Sequence, residues 1–346
     1  MNPPVRVLRD VSLQTRNTFG VSARATLLAE VNDAAHLPEL LAGPAFRGTS
    51  PLVIGGGSNL LFVNNPQDPL LALTGGKVEL LREENGTAVL RADAGTAWHV
   101  LVMKSLALGL SGLENLALIP GSAGAAPIQN IGAYGVEVRE FIACVEAFEP
   151  GTGQWHRMDR DRCAFGYRDS VFKQQSGRFI VTAVEFALPR QFNARLGYAG
   201  IGAQLTTMGI SDPTAAEVAE AVIAIRRSKL PDPAVIGNAG SFFKNPVVTS
   251  TVADALLASH PAMPSFAAGA DADRKLSAAW LIDACGWKGH RQGDAGVSAG
   301  HALVLVNHGT ASGQQLLDLA RQIADSVHAR FGVALEPEPR VVGAHW

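Results

Sequence analysis

The chain has 346 residues, 47% hydrophobic and 17% charged, with a net charge of −2. That length supports more than one domain around a full core, and the charge balance gives no reason to expect nucleic acid or an anionic membrane as partner. Cys144, Cys163 and Cys285 are widely spaced with no C-x-x-C, which speaks against a zinc site and fits buried thiols in a reducing compartment.

The opening MNPPVRVLRD has neither the apolar core nor the cleavage site of a signal peptide. The longest apolar region, residues 101–120, is interrupted by Lys104, Glu114 and glycines and does not read as a membrane span. A cytoplasmic location is expected. The histidines show no metal-ligand spacing, so no metal is expected; His99, His156, His290 and His301 read as structural or surface residues.

In chain order, residues 17–20 form a turn, residues 25–31 alternate as a strand, and residues 34–42 carry helical spacing. The run PLVIGGGSNLLF follows: strand, three glycines, Ser58 and Asn59, and a second strand. Gly55, Gly56 and Gly57 can turn tightly and aim successive N–H groups at one anion. A dinucleotide fingerprint fails here, because Leu60 fills the third glycine position and strand follows where a helix should. A plain glycine hairpin is the structural alternative.

Residues 78–81, 88–94, 145–149 and 179–188 read as strands, and residues 98–108 as a helix. Between them, nearly every side chain from Gly121 to Ala126 is tiny, and Gln129, Asn130, Gly132, Ala133, Tyr134 and Gly135 follow. Such a run suits a flat ligand or another backbone lying against it, or else tight helix packing. In FGYRDSVFK, Arg168 stands among aromatics beside Asp169, as a functional guanidinium or a structural ion pair. Helices are expected over residues 215–227, 253–260, 278–285 and 312–331, with a strand over 302–306. Residues 229–246, KLPDPAVIGNAGSFFKNP, read as a functional loop in which small residues leave Ser241 uncovered. In the tail LEPEPRVVG, prolines hold Glu336 and Glu338 in extended backbone.

Two glycine surfaces, a Ser–Lys–Asn segment, an arginine and a proline-fixed glutamate suggest a cofactor enzyme. Ser241-Phe242-Phe243-Lys244 also fits the S-x-x-K pattern of serine acyl-transfer enzymes, but the companion S-D-N and K-T-G elements are missing. A nucleotide-binding module without catalysis explains the glycines and leaves Ser241, Arg168 and Glu338 without a role.

These ordered motifs, NTFG, GGGSNLLF, IPGSAGAAPIQNIGAYGVE, FGYRDSVFK, GNAGSFFKNP and LEPEPR, together resemble the UDP-N-acetylenolpyruvoylglucosamine reductase family, in its longer type I form with an extra tyrosine-bearing loop. The resemblance runs nearly the whole chain. It implies an α+β fold of the vanillyl-alcohol-oxidase type, with FAD-binding subdomains at residues 1–75 and 76–215, the latter rejoined by tail 331–346, and a substrate-binding domain at 216–330. It implies non-covalent FAD, with NADPH as reductant and UDP-N-acetylglucosamine enolpyruvate as substrate, in peptidoglycan precursor synthesis. A monomer is expected. Gly55, Gly56, Gly57, Ser58 and Asn59 are implied to hold the flavin pyrophosphate, with Pro120, Gly121, Ser122, Gly124, Ala125, Gln129, Asn130, Gly132, Tyr134 and Gly135 along the cofactor's other side. Ser241 matches the proton donor, Arg168 and Glu338 the pair acting with it, and Tyr198, Lys229 and Asn245 substrate contacts. Lys244 is a candidate helper of Ser241. The implied chemistry is hydride transfer to the enolpyruvyl methylene carbon, then protonation of its neighbour. A related FAD-dependent sugar or lactone oxidase is the alternative; such enzymes often tether flavin through histidine, and neither glycine loop holds one.

Overall fold

A computed structural model describes residues 3–198, 200–268 and 273–346 of the chain. It divides by contacts into two compact units: residues 1–11, 25–56 and 67–228 form the first, and residues 12–24, 57–66 and 229–346 the second. One border falls inside the glycine turn, between Gly56 and Gly57. Among the described residues no helix is long and apolar enough to cross a membrane.

The first unit is built on two sheets. One has the strand order Val5–Ser12, Arg24–Val31, Leu70–Leu73, Leu52–Ile54, and its last three strands run parallel. The other is antiparallel, ordered Gln154–Met158, Ile142–Glu149, Ile180–Pro189, Thr87–Asp93, Val78–Glu84. Its central strand reads IVTAVEFALP and is buried along most of both faces, so it gives a mostly apolar run, broken by Thr182 and Glu185, instead of strict alternation. The helices Trp98–Ala107 and Ala215–Lys229 pack Trp98, Leu101, Val102, Val218, Val222 and Ile225 into the same core. One face of this sheet carries an ionic ladder: Arg91 bonds Asp93 and Glu146, and Arg157 bonds Glu146 and the buried Glu185. The Glu146 and Asp93 carboxylates raise the Arg91 pKa further above its already high value, against the opposing effect of burial.

The second unit centres on the antiparallel sheet Gly237–Ser241, Val304–Asn307, Ala295–Val297, Arg291–Gln292. The helix Gly313–Phe331 opens with a capping box, in which Ser312 Oγ accepts the Gln315 N–H and Gln315 answers the Ser312 N–H, and it ends at Gly332 with φ of 67°. Its start lies so close to Phe62 that a Cβ on Gly313 would stand 1.8 Å from the Phe62 carbonyl oxygen. Phe62 belongs to Leu60–Phe62, which pairs in parallel with Arg340–Val342 and so anchors the tail.

The expected strands and helices are largely present, with the expected helix at residues 253–260 running over Ser250–Ser259 and that at 34–42 divided into a 3-10 turn and Leu37–Ala42. Residues 229–246 are a correction: Lys229 ends a helix, and Gly237–Ser241 is an edge strand where a loop was expected. GNAGS has no strand propensity of its own. It is held instead by pairing with Val304–Asn307 and by the burial of Phe242 and Phe243, at 0% and 1% exposure. Burying those rings contributes roughly 1.5–3 kcal/mol each. Their neighbours are also aromatic, with Phe19 edge-on to Phe242 at 6.3 Å and Trp346 to Phe243 at 5.8 Å.

Two buried asparagines close the turns of this unit. Asn17 takes the Val21 N–H and donates to the Leu13 and Val21 carbonyls; Asn307 takes the Gly309 and Ala311 N–H groups and donates to the carbonyls of Phe19 and Ala311. Replacing Asn307 by Ala leaves buried backbone groups unmatched, and we expect a loss of about 2 kcal/mol in denaturant unfolding. An unchanged midpoint would show that these bonds do not hold the unit together.

Candidate active site

In the second unit, the chain from Ser241 to Lys244 lies antiparallel to the tail. The Glu338 N–H donates to the Phe242 carbonyl at 2.7 Å, the Lys244 N–H to the Glu336 carbonyl at 3.0 Å, and Phe243 bridges Pro337. This pairing sets Glu338 opposite Phe242, the residue after Ser241, although 96 positions separate the pair in sequence. Ser241 and Glu338 are both half-buried. On its other edge the segment is fixed by the Phe242 N–H to the Leu303 carbonyl at 2.7 Å. The turn before it is set by the buried Asn238, which accepts the Gly240 N–H and donates to the carbonyls of Pro231 and Ile236, while Gly240 takes a φ of 71°.

Asn59 joins the same place, with its amide nitrogen 3.3 Å from the Glu338 carbonyl and its own carbonyl accepting the Arg340 N–H. Just before it, Gly57 has φ of 67°, and a Cβ there would stand 2.0 Å from the Arg16 carbonyl oxygen, so only glycine fits. Ser58 lies part-buried between them. Lys244 forms an ion pair with Glu336 at 2.8 Å, so its ammonium has a carboxylate partner 92 residues away and is not poised as a bare amine base toward Ser241. Asn245 accepts the Ala278 N–H at the first turn of the helix Ala278–Ala284. Lys229 is exposed at its helix end, and its carbonyl lies 3.3 Å from where a Cβ on Gly300 would stand.

In the first unit, the other candidate residues gather along one loop. A Cβ on Gly55 would stand 2.8 Å from Ser122 Oγ and one on Gly56 3.6 Å from the Gly121 Cα, so bare backbone from both strings is in near contact. Gly121, with φ of 119°, accepts the Trp98 N–H, and Gly124 lies so close to Ala94 that a Cβ would meet the alanine methyl at 2.4 Å. Pro120 is exposed; Ser122 and Ala125 are part-buried. A 660 Å³ cleft lined by Ala94, Gly95, Lys77, Asp93 and Thr182 adjoins Gly124 through Ala94.

Arg168 folds back onto this loop, donating to the Gly132 carbonyl at 2.8 Å and the Asn130 carbonyl at 3.4 Å, with its guanidinium 5.5 Å from the Tyr167 ring centre. Arg168 and Asn130 have φ of 54° and 45°. Such left-handed backbone at non-glycine residues costs of order 1 kcal/mol and tends to gather at functional sites. Asn130 is fully buried and commits its amide to Glu137, Gly166 and the Arg139 N–H, which fixes the loop from within. Gln129 is part-buried beside it. Tyr134 and Gly135 end the loop, and the ring of Tyr198, about half exposed, meets that of Tyr134 edge-on at 5.2 Å.

Within the first unit, the bare backbone at Gly55 and Gly56 with the Ser122 hydroxyl against it suits a pyrophosphate, since no side chain at either glycine stands in its way. Residues 25–159 match the family model for an FAD binding domain, and residues 232–342 the model for UDP-N-acetylenolpyruvoylglucosamine reductase, C-terminal domain. Fold and family models together define an FAD-dependent oxidoreductase.

The relatives are more specific. The UDP-N-acetylenolpyruvoylglucosamine reductase of Xanthomonas axonopodis pv. citri (strain 306) is 55% identical over 334 residues, covering 96% of this chain and 95% of the relative. That of Xanthomonas campestris pv. campestris (strain 8004) is 54% identical over 341 residues, covering 99% and 97%. The crystal structure of the reductase from Thermus caldophilus shares the fold with a TM-score of 0.68 at 27% identity, covering 98% of this chain and 99% of that one. The chain belongs to the UDP-N-acetylenolpyruvoylglucosamine reductase family, which bears out the resemblance and sets aside the acyl-transfer and sugar-oxidase alternatives.

The sequence reading placed His301 among structural or surface residues, yet it stands in the field of a candidate site residue. Burial lowers its pKa first, and the positive charges of Lys229 and Lys288 lower it further. Its Nδ1 accepts the Leu303 N–H at 3.2 Å, which also requires the unprotonated form of that nitrogen. The shift is downward, so the ring is neutral at pH 7. Removing one cation should therefore raise the pKa: in Lys229→Ala, the His301 ring protons are expected to titrate at higher pH by NMR. An unmoved titration would contradict the proximity of the two groups.

Proposed function

We infer that the chain reduces the enolpyruvyl ether of UDP-N-acetylglucosamine enolpyruvate to the lactyl ether of UDP-N-acetylmuramate, with Ser241, Arg168 and Glu338 as its reacting groups. Bound FAD supplies the two-electron chemistry that links NADPH to this substrate. The observation that carries the residue assignment is the backbone pairing of Phe242 with Glu338, which joins the segment that carries Ser241 to the tail that carries Glu338.

The chemistry calls for these groups. Hydride arriving at the methylene carbon drives negative charge toward the substrate carboxylate. A guanidinium pairs with a carboxylate through two parallel N–H bonds and keeps its own proton, which suits Arg168. A contact that strengthens as charge develops accelerates the step. Protonation of the adjacent carbon completes the reaction, and Ser241 is the donor in this reading, with Glu338 next to it to orient or re-supply the proton. Gly55, Gly56, Gly57, Ser58 and Asn59 hold the pyrophosphate, and residues 120–135 lie along the rest of the cofactor. Lys229, Tyr198 and the donor end of the Asn245 amide meet the substrate. We assign the two FAD-binding subdomains to residues 1–75 and 76–215 and the substrate-binding domain to residues 216–330, in agreement with the order of the two family-model matches. The protein acts as a monomer in this reading, and nucleotide sugars and NADPH are cytoplasmic metabolites, which supports a cytoplasmic location.

Ser241→Ala separates the two halves of the reaction. Rapid mixing with NADPH is expected to reduce the flavin at the wild-type rate, while reoxidation by substrate slows about 10²–10⁴-fold, the usual worth of a positioned proton donor. Equal slowing of both halves would remove Ser241 from this role.

A further inference from the structure

Asn115, on the 3-10 turn Glu114–Leu116 of the first unit, is fully buried, and the reaction assigns it nothing. Its Nδ2 donates to the Tyr134 carbonyl at 2.9 Å and to the Arg195 carbonyl at 3.0 Å. Among the described residues its Oδ1 has no hydrogen-bond partner. A buried acceptor left empty is costly, so packing alone would be served better by an apolar side chain of the same size. What the amide supplies is two donor hydrogens on one planar group, matched here to two carbonyls.

The turn that carries Asn115 is firmly seated. The Glu114 carboxylate accepts the Gly112 N–H at 2.5 Å, Trp98 Nε1 donates to the Leu116 carbonyl at 2.9 Å, and Leu113 and Leu116 lie in the core. The two segments that Asn115 bonds therefore take their position from it. One is the end of the loop at residues 120–135, where Tyr134 has φ of 51°. Left-handed backbone at such a residue persists only where the surroundings over-determine it. The other is the segment that follows the strand Ile180–Pro189. Ser111 Oγ lies 3.0 and 3.2 Å from the carbonyls of Pro189 and Gln191, Asn115 takes that of Arg195, the Arg195 guanidinium pairs with Glu140, and Leu196 packs on the core. Tyr198 stands three residues beyond Arg195, about half exposed, with its ring edge-on to that of Tyr134 at 5.2 Å.

We propose that Asn115 is a positioning residue of the substrate site: its amide ties the end of the loop at residues 120–135 to the base of the Tyr198 segment, and so sets the seat from which Tyr198 meets the substrate. The proposal rests on the reading of Tyr198 as a substrate contact. Without the bridge, substrate has to order this segment on binding, which appears as lost affinity and not as slower chemistry.

The test uses the full-length, FAD-loaded protein as wild type, Asn115→Leu, Asn115→Asp, Tyr198→Ala and the Asn115→Leu/Tyr198→Ala double variant. Each is reduced anaerobically with dithionite and mixed rapidly with UDP-N-acetylglucosamine enolpyruvate. The concentration dependence of flavin reoxidation gives an apparent Kd and a limiting rate, and thermal unfolding is followed alongside. Asn115→Leu is expected to raise the apparent Kd about tenfold, the worth of one buried hydrogen bond, with limiting rate and unfolding temperature close to wild type. Asn115→Asp keeps the shape, and its neutral carboxyl offers one donor in place of two, so it should fall between them. In the double variant Asn115→Leu should add nothing to Tyr198→Ala, because both act through the same ring. An unchanged Kd in Asn115→Leu, additive losses in the double variant, or a parallel fall in affinity, rate and stability would overturn the proposal. If Asn115→Leu does not fold, Asn115→Asp decides: a wild-type Kd overturns the proposal, and a raised Kd at the wild-type limiting rate supports it. Failure of both to fold marks Asn115 as a general folding residue and likewise overturns it. A wild-type Kd in Tyr198→Ala would instead overturn the reading of Tyr198 as a substrate contact.

Discussion

The hydrogen bond from the Glu338 N–H to the Phe242 carbonyl is the contact on which the place of the tail in the second unit depends. Everything near it serves to hold two short, weakly structured segments in register. Phe242 and Phe243 anchor one segment by burial, and the parallel pairing of Arg340–Val342 with Leu60–Phe62 anchors the other. Prolines at 337 and 339 keep the tail extended, as its sequence leads one to expect. The ion pair of Lys244 with Glu336 closes the ladder from the outside. The segment that follows Ser241 and the tail that carries Glu338 are thereby joined by backbone pairing.

In the first unit the organising constraint is close approach. Gly124 against Ala94 leaves no room for a side chain, Gly55 lies against the Ser122 hydroxyl, and Gly56 lies within van der Waals reach of Gly121, so three strings of small residues come together. Such a surface is expensive to leave bare and suits a large, polar cofactor with many acceptors. Arg168 rests on the Asn130 and Gly132 carbonyls, which holds its guanidinium against the loop.

Much of this was legible in the sequence, because steric demands leave a local mark. Glycine runs, small-residue runs and proline-flanked glutamates announce themselves at their own positions, and the family resemblance tied them to one chemistry. What was not legible is non-local. The second unit is assembled from residues 12–24, 57–66 and 229–346, and no periodicity reports that Phe242 will pair with Glu338, 96 positions on. GNAGS was read as loop because its residues lack strand propensity, and pairing overrides propensity. The helix Ala215–Lys229 places its apolar side in the first unit's core, which its spacing alone cannot assign to a partner. The effect of the Lys229 charge on His301 is non-local in the same way.

The central claim is that one site accepts electrons from NADPH and passes them to an enolpyruvyl ether. An anaerobic visible spectrum of the purified, FAD-loaded protein tests it through two additions. NADPH should bleach the oxidised flavin band, and UDP-N-acetylglucosamine enolpyruvate should then restore it without oxygen. A band that stays bleached after the second addition, or a protein that takes up no FAD, would contradict the account.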